Sequence, residues 1–101
     1  MTESPDGPQA ARFFTTLAND LKAGQPVLQS LRRIEEEFSD TPMSKTISLM
    51  ADDIENGSTL SQALGKHPHA FDEAVVLLVK GGETAGMLDR LLPIAADYVS
   101  K

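Results

Sequence analysis

The feature that most constrains the fold is a run of six apolar residues at positions 74–79, which reads AVVLLV. A segment without a polar face has to be covered on all sides, either as a buried strand or as a central helix. Its three valines favour a strand, but nothing else in the chain alternates with period two, so a strand here would have no partner. We therefore predict a buried central helix from Asp72 to Thr84, whose acidic first turn suits a helix N-terminus.

Glycines at positions 81, 82 and 86 form a corner after this run. Gly86 is predicted to take the left-handed conformation that lets the chain reverse into an antiparallel helix. A glycine inside a helix costs up to about 1 kcal/mol relative to alanine, so the adjacent Gly81 and Gly82 indicate close approach by another helix or by a partner. The helix dipole disfavours a carboxylate in the last turn. We therefore expect Glu83 to have a specific partner: a helix N-terminus, an arginine, or a cation at an interface.

Apolar stripes with helical spacing predict six helices and no strand. The helices are bounded by glycine, proline or capping residues and are expected at Ala10–Ala23, at Pro26–Phe38, from Pro42 after an N-cap at Thr41, from an N-cap at Ser58 to Gly65, at Asp72–Thr84 and at Met87–Ser100. Pro93 is predicted to kink the sixth helix. The fold class is thus all-α, a single-domain six-helix antiparallel bundle over residues 10–101. Residues 1–9 are predicted to be a disordered tail or an expression remnant.

The composition disfavours several classes of partner. The 101 residues are enough for one domain and carry a net charge of -6, which disfavours nucleic acid and anionic membrane surfaces because phosphate binding needs a basic patch. A basic surface on a partner protein is a better match. The chain has no cysteine for a disulfide or a thiolate site. No apolar run approaches the roughly 18–20 residues of a membrane span.

No catalytic motif is found along the chain. It lacks a nucleophile elbow, a P-loop, a dinucleotide fingerprint and the helical histidine pair of zinc hydrolases, so we expect no enzymatic activity, no cofactor and no metal. The alternative is a metal-dependent enzyme with His67, His69 and Asp72 as ligands. Histidines on either side of Pro68 do not resemble helical zinc ligands, and we interpret this stretch as a helix-capping loop in which Phe71 fills the end of the bundle.

Acidic residues form two clusters on the predicted helices. One comprises Asp52, Asp53 and Glu55, and the other is Glu35–Glu37. Paired carboxylates can act as acid and base when burial separates their pKa values. Both clusters lie away from an apolar stripe, so we interpret them as solvated faces, and the face of the third helix is a candidate docking surface.

Four segments, in order along the chain, resemble one known family. Residues 79–89, VKGGETAGMLD, are similar to the loop (R/K)-(A/V)-G-E-x-(S/T)-G-x-L-D, with departures at Gly81 and Ala85. The matching residues of this loop are Lys80, Gly82, Glu83, Gly86, Leu88 and Asp89. The other segments are FFTTLANDLKAGQP, IENGSTLSQALGKHPHAF and IAADY. The family is the type II secretion F domain, which occurs in inner-membrane platform proteins of type II secretion systems and type IV pili.

The resemblance implies a six-helix bundle without enzymatic activity, on the cytoplasmic face of the bacterial inner membrane. It implies contacts with a hexameric assembly ATPase and with other inner-membrane platform subunits. Because family members have two such domains and about three spans, the chain is expected to be an excised fragment, the first cytoplasmic domain, attached to the membrane only through spans that it lacks.

Two contact surfaces are expected on this domain, and a homodimer is a further expectation. The expected contact residues are Gly82, Glu83, Gly86 and Asp89 at the glycine corner and Asp52, Asp53 and Glu55 on the acidic face. The alternative from a different class is a free-standing helical adaptor, unrelated to secretion, that dimerises through its glycine-rich corner.

Overall fold

The structure is a computed structural model that describes residues 7–100, which form six α-helices without a strand in that range. In chain order the helices are α1 (Gly7–Lys22), α2 (Val27–Glu37), α3 (Pro42–Glu55), α4 (Leu60–Gly65), α5 (Glu73–Ala85) and α6 (Leu88–Val99). The prediction of an all-α, six-helix fold is confirmed. α1 begins three residues before its predicted start, and the rest of the predicted tail, residues 1–6, lies outside the described residues.

The helices pack in chain order and close into a ring. Each helix contacts the next one along the chain, and α6 returns to pack against α1. The core between them is built from the apolar stripes, since hydrophobic residues repeated every three or four positions point to one side of a helix. In this arrangement α5 is flanked by α4 on one side and by α6 on the other.

Three phenylalanine rings pack against one another in the core. Phe13 and Phe14 of α1 meet edge to face, with ring centroids 5.2 Å apart. Phe71, from the loop before α5, lies 5.9 Å from Phe13 and 5.6 Å from Phe14, measured between centroids, and is 1% exposed. Phe71 is therefore part of the core and packs against α1, and its position at the end of the bundle stays a prediction.

The start of α4 corrects one predicted cap. Thr59, and not Ser58, is the N-cap residue of this helix. The Gln62 backbone N–H donates to Thr59 Oγ1 at 3.1 Å, and the Thr59 N–H donates to Gln62 Oε1 at 2.9 Å. The sequence T-L-S-Q is therefore a capping box, in which the glutamine at the third helical position accepts a hydrogen bond from the backbone N–H of the cap residue. With a cap at Ser58, Gln62 would not stand at the third helical position, and this second hydrogen bond would be lost.

The cap of α3 also differs in detail from the prediction. Thr41 occupies the N-cap position, but its side chain makes no capping hydrogen bond. Its hydroxyl instead donates to the Phe38 carbonyl at 2.6 Å and ties the end of α2 to the start of α3. At the other end of the chain, α6 continues through Pro93.

The run at 74–79 forms a helix, as predicted, but it is not covered on all sides. Val75 and Val79 are fully buried, whereas Ala74 is exposed and Leu77 is 57% exposed. Because α5 packs between α4 and α6, its outer side is left open to solvent. The prediction of a central helix buried on all sides is therefore wrong: α5 lies at the periphery of the bundle.

Candidate interaction site at the α5–α6 corner

A tight reversal connects α5 to α6. Gly86 has φ 70° and ψ 29°, the left-handed conformation predicted for it. The Met87 N–H donates to the Gly82 carbonyl at 2.8 Å, and the Gly86 N–H donates to the Glu83 carbonyl at 3.2 Å. These two bonds make a Schellman motif, which satisfies carbonyl groups that the end of a helix otherwise leaves unpaired.

The two adjacent glycines have different surroundings. A Cβ atom on Gly82 would lie 2.8 Å from Leu91 Cβ and 3.3 Å from the Leu88 Cα atom, so only glycine allows α6 to approach this closely. A Cβ atom on Gly81 would meet nothing within 4 Å. The close approach inferred from the sequence therefore occurs within the chain at Gly82, whereas no contact within the bundle requires a glycine at position 81.

Glu83 connects the end of α5 to the start of α4. Its Oε2 atom accepts a hydrogen bond from the Ser61 backbone N–H at 2.8 Å, and its Oε1 atom accepts one from the Ser61 hydroxyl at 2.5 Å. Ser61 is 5% exposed and Glu83 is partly buried. Of the three kinds of partner expected for Glu83, the structure shows the first, a helix N-terminus, where a carboxylate satisfies unpaired donors.

A groove of about 530 Å³ opens beside this contact, between α4 and α5. Its lining residues are Thr59, Ser61, Gln62, Glu73, Val76, Leu77, Lys80, Glu83 and Thr84. The lining combines two apolar side chains with charged, hydroxyl and amide groups. Asp89 lies in the first turn of α6, next to the exposed Gly86. The structure therefore brings Gly82, Glu83, Gly86 and Asp89 together at one corner.

The acidic residues of α3 lie on a different face and are paired with cations of this chain. Arg32 of α2 donates through Nη2 to Asp52 at 2.9 Å and to Glu55 at 2.7 Å. These hydrogen bonds to Asp52 and Glu55 raise the pKa of Arg32. Lys66 lies 3.3 Å from Asp53, measured from Nζ to Oδ1. The acidic face is exposed, but its charge is partly neutralised within the domain.

His67 lies in the loop between α4 and α5, which also carries Phe71, and its side chain is enclosed. The residue is 9% exposed, and its Nε2 atom is buried without a hydrogen-bond partner. Its ring centroid is 6.0 Å from that of His69. Burial, with the nearby His69 adding to it, lowers the pKa of His67. Asp72 is the N-cap of α5, and its two oxygens accept from the Val75 N–H and from the Tyr98 hydroxyl.

The alternative hypothesis of a metal-dependent enzyme requires His67, His69 and Asp72 to lie around one metal ion. Among residues 7–100, no group of three or more histidines, aspartates or glutamates is placed to hold a metal ion. Asp72 performs the capping role that we preferred for this stretch.

We predict that acid destabilises the domain through His67. Because its pKa is lower in the folded chain than the usual value of about 6.5, the unfolded chain takes up the proton first. The stabilising contribution is complete above the unfolded pKa and is lost as the pH falls through the folded pKa. Melting temperatures measured between about pH 7.5 and pH 5 should therefore fall less for His67→Gln than for the wild type. His69→Gln is the matched control, and an equal pH dependence of all three proteins would contradict the prediction.

The fold and the corner define an all-α domain in which several polar side chains connect neighbouring helices. The chain belongs to the type II secretion system protein F family, since residues 13–101 match the family described as type II secretion system (T2SS), protein F. The resemblance read from the sequence is thereby confirmed.

The curated relatives have names from two related systems. The chain is 36% identical over 91 residues to the type IV pilus assembly protein PilC of Pseudomonas aeruginosa, which covers 90% of this chain and 24% of that protein. It is 36% identical over 92 residues to the type II secretion system protein F of Vibrio cholerae, with coverages of 90% and 22%. The PilC protein of Thermus thermophilus is 35% identical over 91 residues, with coverages of 90% and 22%. The chain thus spans about a quarter of the length of the relatives it matches.

Within residues 7–100, none of the helices has the length and apolar character required to cross a bilayer.

Proposed function

We propose that this chain is a non-catalytic cytoplasmic domain of an inner-membrane platform protein in type IV pilus biogenesis or type II protein secretion. The observation that carries the proposal is the similarity over 90% of the chain to proteins named for type IV pilus assembly and type II secretion. The polar contacts at Thr59, Asp72 and Glu83 support it, because these side chains form caps and helix-to-helix contacts.

The mechanical role we propose is transmission: the domain couples an assembly ATPase to pilus or pseudopilus assembly by passing its movements to the membrane platform. A transmitting element has to be stiff, and polar side-chain contacts cross-link the consecutive helices of this bundle. The contacts are Arg33 with Asp20, Arg32 with Asp52 and Glu55, Lys66 with Asp53, Ser61 with Glu83, and Tyr98 with Asp72. Each exposed ion pair contributes little alone, but together with the core they restrain every neighbouring pair of helices.

Two surfaces are proposed to contact the ATPase and the other platform subunits. The first is the corner of Gly82, Glu83, Gly86 and Asp89, and the second is the acidic face of Asp52, Asp53 and Glu55. A net charge of -6 favours partners with a basic surface and accelerates their association through electrostatic steering. The corner glycines have internal roles at Gly82 and Gly86, so we prefer this function to an adaptor that dimerises through them.

The test of the function is deletion of the segment for residues 7–100 from the gene in its own host. We expect surface pili or secreted protein to be lost, and we expect the assembly ATPase to co-purify with the tagged, undeleted protein but not with the tagged deletion variant. Unchanged piliation and unchanged secretion would contradict the proposed function.

A point substitution tests the corner within the same host. Glu83→Lys is expected to reduce pili or secretion by about tenfold or more, because it reverses a charge at the contact surface. Ser61→Ala is the matched control, since it removes the hydroxyl that donates to Glu83 and leaves every charge in place. Equal losses in both variants would show that Glu83 acts through the α4–α5 contact alone, and full activity of Glu83→Lys would show that the corner is no contact surface.

A further inference from the structure

The two asparagines of the chain differ in the residue that follows them and in their place in the fold. Asn56 precedes Gly57, and Asn19 precedes Asp20. Asn56 and Gly57 are exposed at the end of α3, whereas Asn19 is exposed but lies within α1. Asparagine is a thermolabile residue, because the backbone nitrogen of the next residue can attack its side-chain amide. Glycine in that next position favours the reaction, since it has no side chain to hinder the attack.

The turn after α3 requires the glycine that follows Asn56. Asn56 is the C-cap residue, with φ -90° and ψ 9°. Gly57 has φ 107°, a conformation that glycine adopts without steric cost and other residues rarely adopt. The Gly57 N–H donates to the Ile54 carbonyl at 3.0 Å, and the Ser58 N–H donates to the Asp53 carbonyl at 2.9 Å. These two bonds make a Schellman motif like the one at the end of α5, so the fold itself places a glycine beside this asparagine.

We propose that Asn56 is a site of spontaneous deamidation in the folded domain. The Gly57 backbone nitrogen loses its proton to hydroxide and attacks the side-chain amide carbon of Asn56. A bond between this nitrogen and that carbon forms, the bond from the carbon to the amide nitrogen breaks, and ammonia leaves. The succinimide ring that results is opened by one water molecule. Water at the side-chain carbonyl gives aspartate, and water at the main-chain carbonyl gives isoaspartate, in which the backbone runs through the former side chain.

The hydrogen bonds of the turn slow this reaction without preventing it. The Gly57 nitrogen can attack only after its N–H has left the Ile54 carbonyl, and the rotation of the backbone at Asn56 also breaks the bond from Ser58. Two backbone hydrogen bonds of ordinary net strength slow the reaction by about 5- to 150-fold relative to the unfolded chain. The residues at 55–57 are all exposed, so this opening moves no core side chain. Helix ends open in this way far more often than the whole domain unfolds.

Asn19 is the reference site within the same molecule. The nitrogen that would attack it belongs to Asp20, which lies inside α1. The two preceding residues, Leu17 and Ala18, are 0% and 2% exposed, and the Asp20 carboxylate accepts a hydrogen bond from the Ser30 hydroxyl at 2.5 Å. Opening the backbone here pulls α1 away from the core and from α2. We therefore expect folding to slow deamidation of Asn19 by at least about a thousandfold.

Deamidation adds a negative charge beside the acidic face. Position 56 follows Asp52 by four residues and Asp53 by three, so the new carboxylate lies on the same side of the helix end. Like charges at this spacing destabilise a helix, and so does a carboxylate at its C-terminal end. The modification therefore changes the charge of a surface proposed above to contact partners. Its occurrence goes beyond the proposed function and is measured on the chain alone.

The test follows both asparagines in the native chain and in denaturing urea. The 101-residue chain is incubated at mildly alkaline pH and digested, and conversion of each amide to an acid is measured by mass spectrometry. Deamidation of Asn56 should be no more than about 150-fold slower in the native chain than in urea, whereas that of Asn19 should be slower by at least about a thousandfold. Each site is compared with itself in urea, so the different reactivities of the two dipeptides cancel.

Asn56→Gln is the matched control variant. It keeps an amide and the net charge, but attack on the longer side chain has to form a six-membered ring, which is much slower. In the wild type, anion-exchange chromatography should show a more acidic form that accumulates with time, and this form should be absent from the variant. Circular dichroism melts of the two fresh proteins check that the variant folds as the wild type does.

The products show which nitrogen took part in the reaction. The succinimide gives both aspartate and isoaspartate, and enzymatic methylation detects isoaspartate alone. Aspartate without isoaspartate would overturn the proposal, because direct hydrolysis of the amide does not involve the Gly57 nitrogen. Protection of Asn56 in the native chain as strong as that of Asn19 would also overturn it, since the turn after α3 would then open only when the domain unfolds.

Discussion

Replacing Phe71 with alanine is expected to lower the free energy of unfolding by about 3–5 kcal/mol, the range for removing a buried phenylalanine side chain. Phe71 is 1% exposed and packs against the rings of Phe13 and Phe14. Its truncation leaves a cavity between α1 and the loop before α5, and it removes two aromatic contacts. The melting temperature, followed by circular dichroism, should fall by at least about 12 °C for a domain of this size.

The control for Phe71→Ala is the truncation of Leu77, an apolar side chain on the surface. Leu77 is 57% exposed in the isolated domain, so Leu77→Ala should change the free energy of unfolding by less than about 0.5 kcal/mol. Similar losses for the two variants would contradict the assignment of Phe71 to the core and of Leu77 to the surface.

The six-helix architecture could be predicted because the spacing of apolar residues and the residues at helix ends indicate the same helices that the structure has. Helical spacing of apolar residues locates all six helices, and Gly86 and Asp72 give the end and the start of α5. Local reasoning also predicted the kind of partner that Glu83 has, a helix N-terminus, as one of three possibilities. A carboxylate in the last turn of a helix is unfavourable unless another group stabilises its charge.

Other features depend on the order of the helices around the core, which a single sequence does not show. The six apolar residues at 74–79 are equally compatible with a central helix and with a peripheral helix that has an open apolar face. The identity of Ser61 as the partner of Glu83 follows from the contact of α4 with α5, since the two residues are 22 positions apart in sequence. Arg32 was likewise not predicted as the partner of Asp52 and Glu55, because no spacing rule connects separate helices.

The loop around His67 contains one feature that the sequence predicts and one that depends on the packing of the helices. Pro68 and the acidic Asp72 and Glu73 predicted a turn followed by a helix, which the structure has, with Asp72 as the N-cap and not as the first helical residue. The burial of the imidazole was not predictable, because a histidine in a polar loop is usually exposed and this one is enclosed by the tertiary fold.

Alanine at the two adjacent glycines of α5 should have opposite effects on stability. Gly82→Ala is expected to lower the free energy of unfolding by about 1–3 kcal/mol, because its Cβ atom would lie 2.8 Å from Leu91 Cβ and force α5 and α6 apart. Gly81→Ala should raise it by about 0.5–1 kcal/mol, since alanine favours a helix more than glycine does and its Cβ atom meets nothing within 4 Å. The two residues are neighbours in the same helix, so each variant is the control for the other.

Urea denaturation gives both free energies of unfolding, and their difference should be about 1.5–4 kcal/mol. The family pattern described above has alanine or valine where this chain has Gly81, so Gly81→Ala also restores the residue typical of the loop. A stabilised Gly82→Ala variant would mean that α6 does not pack on the backbone of α5. The register of the two helices would then be wrong.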